Sequence, residues 1–183
     1  VSEAVLFYSM MGDSFPADQY IEDAFVALRP VELVPFADLV ARREAPGRWF
    51  TLPQRIAALK AEILSHPGRR AVVVGRSSGG VAATQLAADV PGLISGIIVL
   101  GYPFKNPNRP DEPHRYQHLA TLQTPTLIVQ GQQDVYGTPT RLPQVTLSAA
   151  IRYEEIATNH EFTRPAPDWQ AIGKLIDGFQ AGL

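Results

Sequence analysis

With 183 residues, 45% of them hydrophobic, the chain is long enough to bury a sizeable core, and one domain spanning residues 1–183 is expected. A formal net charge of −2 and a pI near 6.1 exclude the basic footprint of a nucleic-acid or anionic-membrane binder, and no run of about 18 apolar residues marks a transmembrane helix. The absence of cysteine excludes a disulfide framework, thiolate chemistry and cysteine metal ligands. Together with the lack of a basic-then-apolar leader, it leads us to expect a cytoplasmic protein.

Strands and helices alternate along the chain. Ala4 to Tyr8 reads as a buried strand, followed by a loop from Ser9 to Ser14. A helix is expected from Pro16 to Leu28, with Tyr20, Ile21, Ala24, Phe25 and Leu28 on one face. Val31 to Phe36 reads as a second strand, and Pro35 suits it to a sheet edge. Residues 37–50 read as a polar connection. Thr51 then has the chemistry of an N-cap for a helix from Leu52 to Ser65, with Ile56, Leu59, Ile63 and Leu64 turned to the sheet.

Ala71 to Val74 is a short β-branched run, and Val81 to Ala88 is small and helix-forming. Gly96 to Leu100 is the fourth expected strand. Residues 102–118 carry four prolines and mixed charge, so an irregular excursion is expected there. Thr126 to Gln130 is the fifth strand. A helix is expected over Thr140 to Ala149, an edge-like strand over Ile151 to Ile156, and a last helix over Pro167 to Ala181. Such alternation implies a doubly wound parallel sheet of six strands, with functional groups at the strands' carboxyl ends.

Between the third strand and its helix lies Gly75-Arg76-Ser77-Ser78-Gly79-Gly80, which fits G-x-S-x-G. In a strand-to-helix turn that pattern presents a nucleophile on a strained residue, and the positions two before and two after it have no room for a Cβ. Centring the turn on Ser77 puts Gly75 and Gly79 at those positions. Centring it on Ser78 would put Arg76 at one of them. Ser77 is therefore the candidate nucleophile, and Gly80 lets the helix approach the sheet.

A serine hydroxyl needs a base, usually a histidine held by a carboxylate. Asp134 follows the fifth strand and His160 follows the sixth, which gives the chain order Ser, Asp, His found with such elbows. Backbone N–H donors for an oxyanion would come from Ser78 and from Met10 in the loop after the first strand, with Met11 as second choice. The remaining histidines read differently: His66 as a helix-end surface group, and His114 and His118 as rim or surface groups. No residue pattern fits a metal site, and no cofactor is expected.

Three stretches, GRSSGG at 75–80, LGYPF at 100–104 and HLATLQTPTLIVQGQQDVYGT at 118–138, completed by Asn159-His160, resemble the α/β-hydrolase superfamily. More narrowly they resemble small dienelactone-hydrolase-like proteins related to the testis-expressed and NSL-complex hydrolase-like proteins. The resemblance implies Ser77 as nucleophile, Asp134 as acid and His160 as base. It also implies a minimal α/β-hydrolase fold without a large cap domain, in strand order 2-1-3-4-5-6. Two departures stand out: Tyr8-Ser9 where relatives carry His-Gly, and Val135 after the acid where proline is common.

The expected function is hydrolysis of a small ester, thioester or related acyl bond through an acyl-enzyme. With no large cap, a shallow, open site is expected, and Lys105, Arg109 and Arg115 in the excursion could meet an anionic group. The partner is a small-molecule acyl substrate, with neither nucleic acid nor membrane. The altered Tyr8-Ser9 loop keeps a non-catalytic, hydrolase-like binding or scaffold protein as the alternative. A flavodoxin-like phosphate or nucleotide binder is a third reading of the same alternation.

Overall fold

The computed structural model describes residues 4–42 and 51–183. Six parallel strands form one sheet: β1 (Val5–Met10), β2 (Leu33–Val34), β3 (Arg70–Arg76), β4 (Gly96–Leu100), β5 (Thr126–Gly131) and β6 (Ile151–Ile156). Their spatial order is β2-β1-β3-β4-β5-β6, the order implied by the resemblance. Strands β3, β4 and β5 are buried along nearly all of their length, as central strands covered on both faces must be. The edges differ. β2 is only two residues long, and β6 keeps most of its residues half-exposed.

Among the described residues five α-helices flank the sheet: α1 (Gln19–Leu28), α2 (Phe36–Ala41), α3 (Leu52–Leu64), α4 (Ser78–Asp89) and α5 (Trp169–Gln180). Helix α4 packs on β1, β3 and β4 and against α3, while α1 packs on α5. Thr51 caps α3 as expected. Its hydroxyl accepts from Gln54 N at 3.4 Å, and the Gln54 side chain accepts from Thr51 N at 3.0 Å, a complete capping box. Asp168 caps α5 through Ala171 N at 3.0 Å. No helix among the described residues is long and apolar enough to cross a membrane.

Several expectations are corrected. Helix α1 begins at Gln19 rather than Pro16, because the chain from Asp13 to Asp18 is occupied by turns, with Ala17 N on Ser14 O at 2.8 Å and Gln19 N on Pro16 O at 3.1 Å. The second strand stops at Val34. Pro35 cannot donate to a ladder, and it becomes the N-cap of α2, which takes up Phe36 and part of the expected connection. The rest of that connection, 43–50, lies outside the described residues. Leu64 is 60% exposed rather than turned to the sheet, whereas Arg55 and Glu62 on the same helix are buried. No α-helix forms over Thr140 to Ala149. A 3₁₀ turn covers Pro139–Arg141 and ends at Leu142, whose backbone at φ −123°, ψ 85° has left the helical region.

Candidate active site

β3 ends at Arg76 and α4 begins at Ser78, so a single residue, Ser77, makes the whole turn. It does so at φ 50°, ψ −125°, a conformation that side-chain-bearing residues rarely adopt. The turn is compressed from two sides. A Cβ on Gly79 would stand 1.8 Å from the Met10 carbonyl oxygen, and one on Gly75 would stand 2.6 Å from the Cα of Gly80. Both glycines selected from the motif are thus required by contacts with backbone, which cannot move aside. Helix α4 in turn presses on Val99 of β4 at Gly80.

The three residues expected to act together meet at the carboxyl ends of three different strands. Ser77 Oγ lies 3.1 Å from His160 Nε2, and His160 Nδ1 lies 2.7 Å from Asp134 Oδ2. His160 and Asp134 are buried, while Ser77 retains partial exposure. The Tyr136 ring packs on the imidazole with centroids 4.2 Å apart. Asp134 itself is held by two further donors: Tyr136 N reaches Oδ1 at 2.7 Å, and Gln130 Nε2 reaches Oδ2 at 2.9 Å.

Gln130 was not expected to contribute. It is fully buried at the end of β5, and its amide is shared widely. Oε1 accepts from Tyr102 N at 2.7 Å, and Nε2 stands 2.9 Å from Tyr102 O, Asp134 Oδ2 and Gly137 O. One side chain thereby ties the loop carrying Asp134 to the segment after β4. The signal in the sequence is a long polar side chain following the apolar run Leu127-Ile128-Val129 of β5.

Ser78 opens α4, where the first N–H groups have no partner within the helix. Met10 is not in the loop expected after the first strand: β1 runs on through it, paired in register with Gly75, and its side chain and that of Met11 are buried in the core. Gly12, two residues on, lies against the nucleophile: a Cβ there would be 3.0 Å from Ser77 Cβ. This closeness also went unread in the sequence.

Ser77, His160 and Tyr136 line a cleft of about 290 Å³, together with Asp13, Asp18 and Arg76. A second depression of about 340 Å³ adjoins it at Asp13, Ser78 and Arg115. Of the three cations expected near the site, Arg115 lines both, and it is paired with Glu112 at 2.7 Å. Arg55 lines the second depression and pairs with Asp13 at 2.7 Å.

His118 is not a free surface group. Its Nε2 lies 2.8 Å from Thr84 Oγ1 on α4, and burial pushes its pKa down to about 4. His66 closes the end of α3, with Nδ1 3.0 Å from Glu62 O and its ring edge-on to Tyr8.

A family model described as an alpha/beta hydrolase domain matches residues 37–172. Solved structures of the same fold include a predicted CIB-like hydrolase from Thermoplasma acidophilum, at 14% identity and TM-score 0.70, covering 100% of this chain and 88% of that one. An N-formylmaleamic acid deformylase from Pseudomonas putida matches at 12% identity and TM-score 0.71, over 95% and 92% of the two chains. An alpha-beta serine hydrolase homologue from Coxiella burnetii matches at 16% identity and TM-score 0.67, over 95% and 83%. At these identities the likeness is one of fold, and it bears out a six-stranded sheet with flanking helices and no large cap. No curated protein sequence matches the chain.

Proposed function

The chain belongs to the alpha/beta hydrolase domain family, and from that premise we propose that it is a serine hydrolase cleaving a small ester, thioester or related acyl bond. The observation that carries this reading is the unbroken line from Ser77 Oγ to His160 Nε2 at 3.1 Å and from His160 Nδ1 to Asp134 Oδ2 at 2.7 Å. Ser77 Oγ attacks the acyl carbonyl while His160 Nε2 takes its proton. Asp134 holds the imidazole with Nδ1–H directed at itself and stabilises the cation formed. The proton then passes to the leaving oxygen, sulfur or nitrogen, and water repeats the sequence on the acyl-enzyme.

The tetrahedral oxyanion is held by the N–H groups of Ser78 and Met10, with Met11, the first residue after β1, next along the chain. Each such donor contributes about 100- to 1000-fold in rate. Structures of the same fold named as a serine hydrolase homologue and a deformylase are consistent with acyl transfer as the reaction class. The stretches at 75–80 and 118–138 favour the dienelactone-hydrolase-like branch. The cleft is small and its wall is rich in charged and hydroxyl groups, so the acyl group is short and polar rather than a long lipid chain.

The test is labelling with a fluorophosphonate probe, followed by turnover of p-nitrophenyl esters of increasing chain length. Labelling at Ser77, its loss in Ser77→Ala, and a preference for acetyl over decanoyl esters are expected. A folded wild type that neither takes the probe nor exceeds Ser77→Ala in ester turnover refutes the hydrolase reading in favour of a non-catalytic binding protein.

A further inference from the structure

Arg76 lies directly before the nucleophile and is 3% exposed. Its Nη1 stands 3.2 Å from His160 Nε2, the same ring nitrogen that faces Ser77 Oγ. An arginine can only donate, so this approach is compatible with an unprotonated Nε2 and with the ring proton on Nδ1, facing Asp134. The guanidinium is held in place on several sides. Nη1 donates to Leu100 O at 3.4 Å, and the Phe162 ring lies 5.9 Å from the guanidinium carbon. Gly101, at φ 73°, has no room for a Cβ, which would fall 2.7 Å from Nη1.

A fixed cation beside Nε2 opposes the protonated imidazole that acyl transfer must form. The structure supplies a counter-charge. Asp18, 4% exposed, places Oδ2 3.5 Å from Arg76 Nε, and neither of its carboxylate oxygens has a hydrogen-bond partner. A buried carboxylate left without hydrogen bonds is costly, and although Asp18 is the N-cap residue of α1, its side chain makes no capping hydrogen bond. Burial raises the pKa of Asp18 against the pull of Arg76, and burial lowers that of Arg76 against the pull of Asp18.

We propose that Arg76 and Asp18 are positioning residues for His160: Arg76 fixes the tautomer of the resting imidazole, and Asp18 offsets the Arg76 charge so that Nε2 can accept the serine proton. This rests on the hydrolase reading above. The charged and titratable groups around the ring are Asp134 and Tyr136 after β5, Arg76 on β3, Asp18 and Tyr20 at the start of α1, Glu161 beside it and Arg115 across the cleft.

The two residues therefore have opposite signs of effect, which a merely structural role does not. We would follow kcat and KM for p-nitrophenyl acetate against pH in wild type, Asp18→Asn, Arg76→Met and the double variant. The acid limb of kcat/KM should move down by about one pH unit in Asp18→Asn and up by about one unit in Arg76→Met, with the double variant between them. In Asp18→Asn, kcat should fall about tenfold with KM little changed, and Arg76→Lys should restore part of what Arg76→Met alters.

The imidazole ¹⁵N resonances of His160, followed through the same pH range, provide a readout that needs no turnover. Opposite displacements of the His160 titration in the two single variants support the proposal even if the wild type cleaves no ester, an outcome that would defeat only the hydrolase reading. Displacements in the same direction, or none in folded variants, overturn it. Should Arg76→Met fail to fold, Asp18→Asn against Asp18→Glu decides: only the charge-removing change should displace the titration downward.

Discussion

Gln130 Nε2 stands 2.9 Å from Asp134 Oδ2, the same oxygen that faces His160 Nδ1 at 2.7 Å. The carboxylate is therefore fixed by a side chain of its own strand before it meets the imidazole. Replacing Gln130 by alanine leaves Tyr102 N, a buried donor, without its acceptor and frees the loop that carries Asp134. We expect a loss of about 2 kcal/mol in stability by chemical denaturation. Ester turnover should fall about tenfold with KM little changed, because the lost order lies behind the imidazole and not in the cleft.

Asp134→Asn isolates the electrostatic part of the same arrangement. The amide matches the carboxylate in shape, so Tyr136 N keeps an acceptor and Gln130 Nε2 keeps Tyr102 O and Gly137 O, but an amide nitrogen in place of Oδ2 favours the wrong tautomer of His160. We expect kcat to fall about 10⁴-fold with a melting temperature close to that of the wild type. A loss of less than about tenfold would mean that Asp134 serves the turn alone.

How much of this was legible in the sequence follows from how local each signal is. The elbow was readable because its glycine spacing is a steric rule within five residues. Asp134 and His160 were readable because parallel strands put their carboxyl ends on one side, whatever the loops do. Asp18 was assigned to the expected helix that began at Pro16. In the structure it flanks the helix end, where its carboxylate reaches Arg76 on β3. Gln130 and Gly12 act through contacts that arise only when β5 meets the segment after β4 and when the β1 loop lies against the elbow. The helix expected over Thr140 to Ala149 is replaced by a single 3₁₀ turn, which ends where Leu142 leaves helical backbone angles.

Gly79→Ala tests the contact between the elbow and the loop after β1. The added methyl would sit 1.8 Å from the Met10 carbonyl oxygen and 2.8 Å from that of Met11, both backbone atoms. Relief requires the loop to move away from α4, which separates Ser78 N–H from Met10 N–H. We expect a fall in ester turnover of more than 100-fold and a loss of stability of about 3 kcal/mol. Wild-type turnover in this variant would show that the loop does not take part in the chemistry.

His118 makes stability depend on pH in a way that can be separated from the rest of the molecule. Its Nε2–H donates to Thr84 Oγ1, whose own hydroxyl donates within α4 to Gly80 O at 2.9 Å. Desolvation lowers the folded-state pKa to about 4 from 6.5 against the opposing pull of Asp89, and His114 adds a smaller downward push. Between those values the unfolded chain binds a proton that the folded chain does not. The contribution is thus fully present above pH 6.5 and is lost as pH falls toward 4. Allowing for the partly exposed ring, the loss is about 2 kcal/mol. His118→Gln keeps an N–H donor for Thr84 and removes the titration. Its stability relative to wild type should therefore improve by about that amount between pH 7 and pH 4.5, measured as the difference in denaturation free energy of the two proteins. Parallel pH profiles for the two proteins would mean that the ring takes up its proton without leaving the fold.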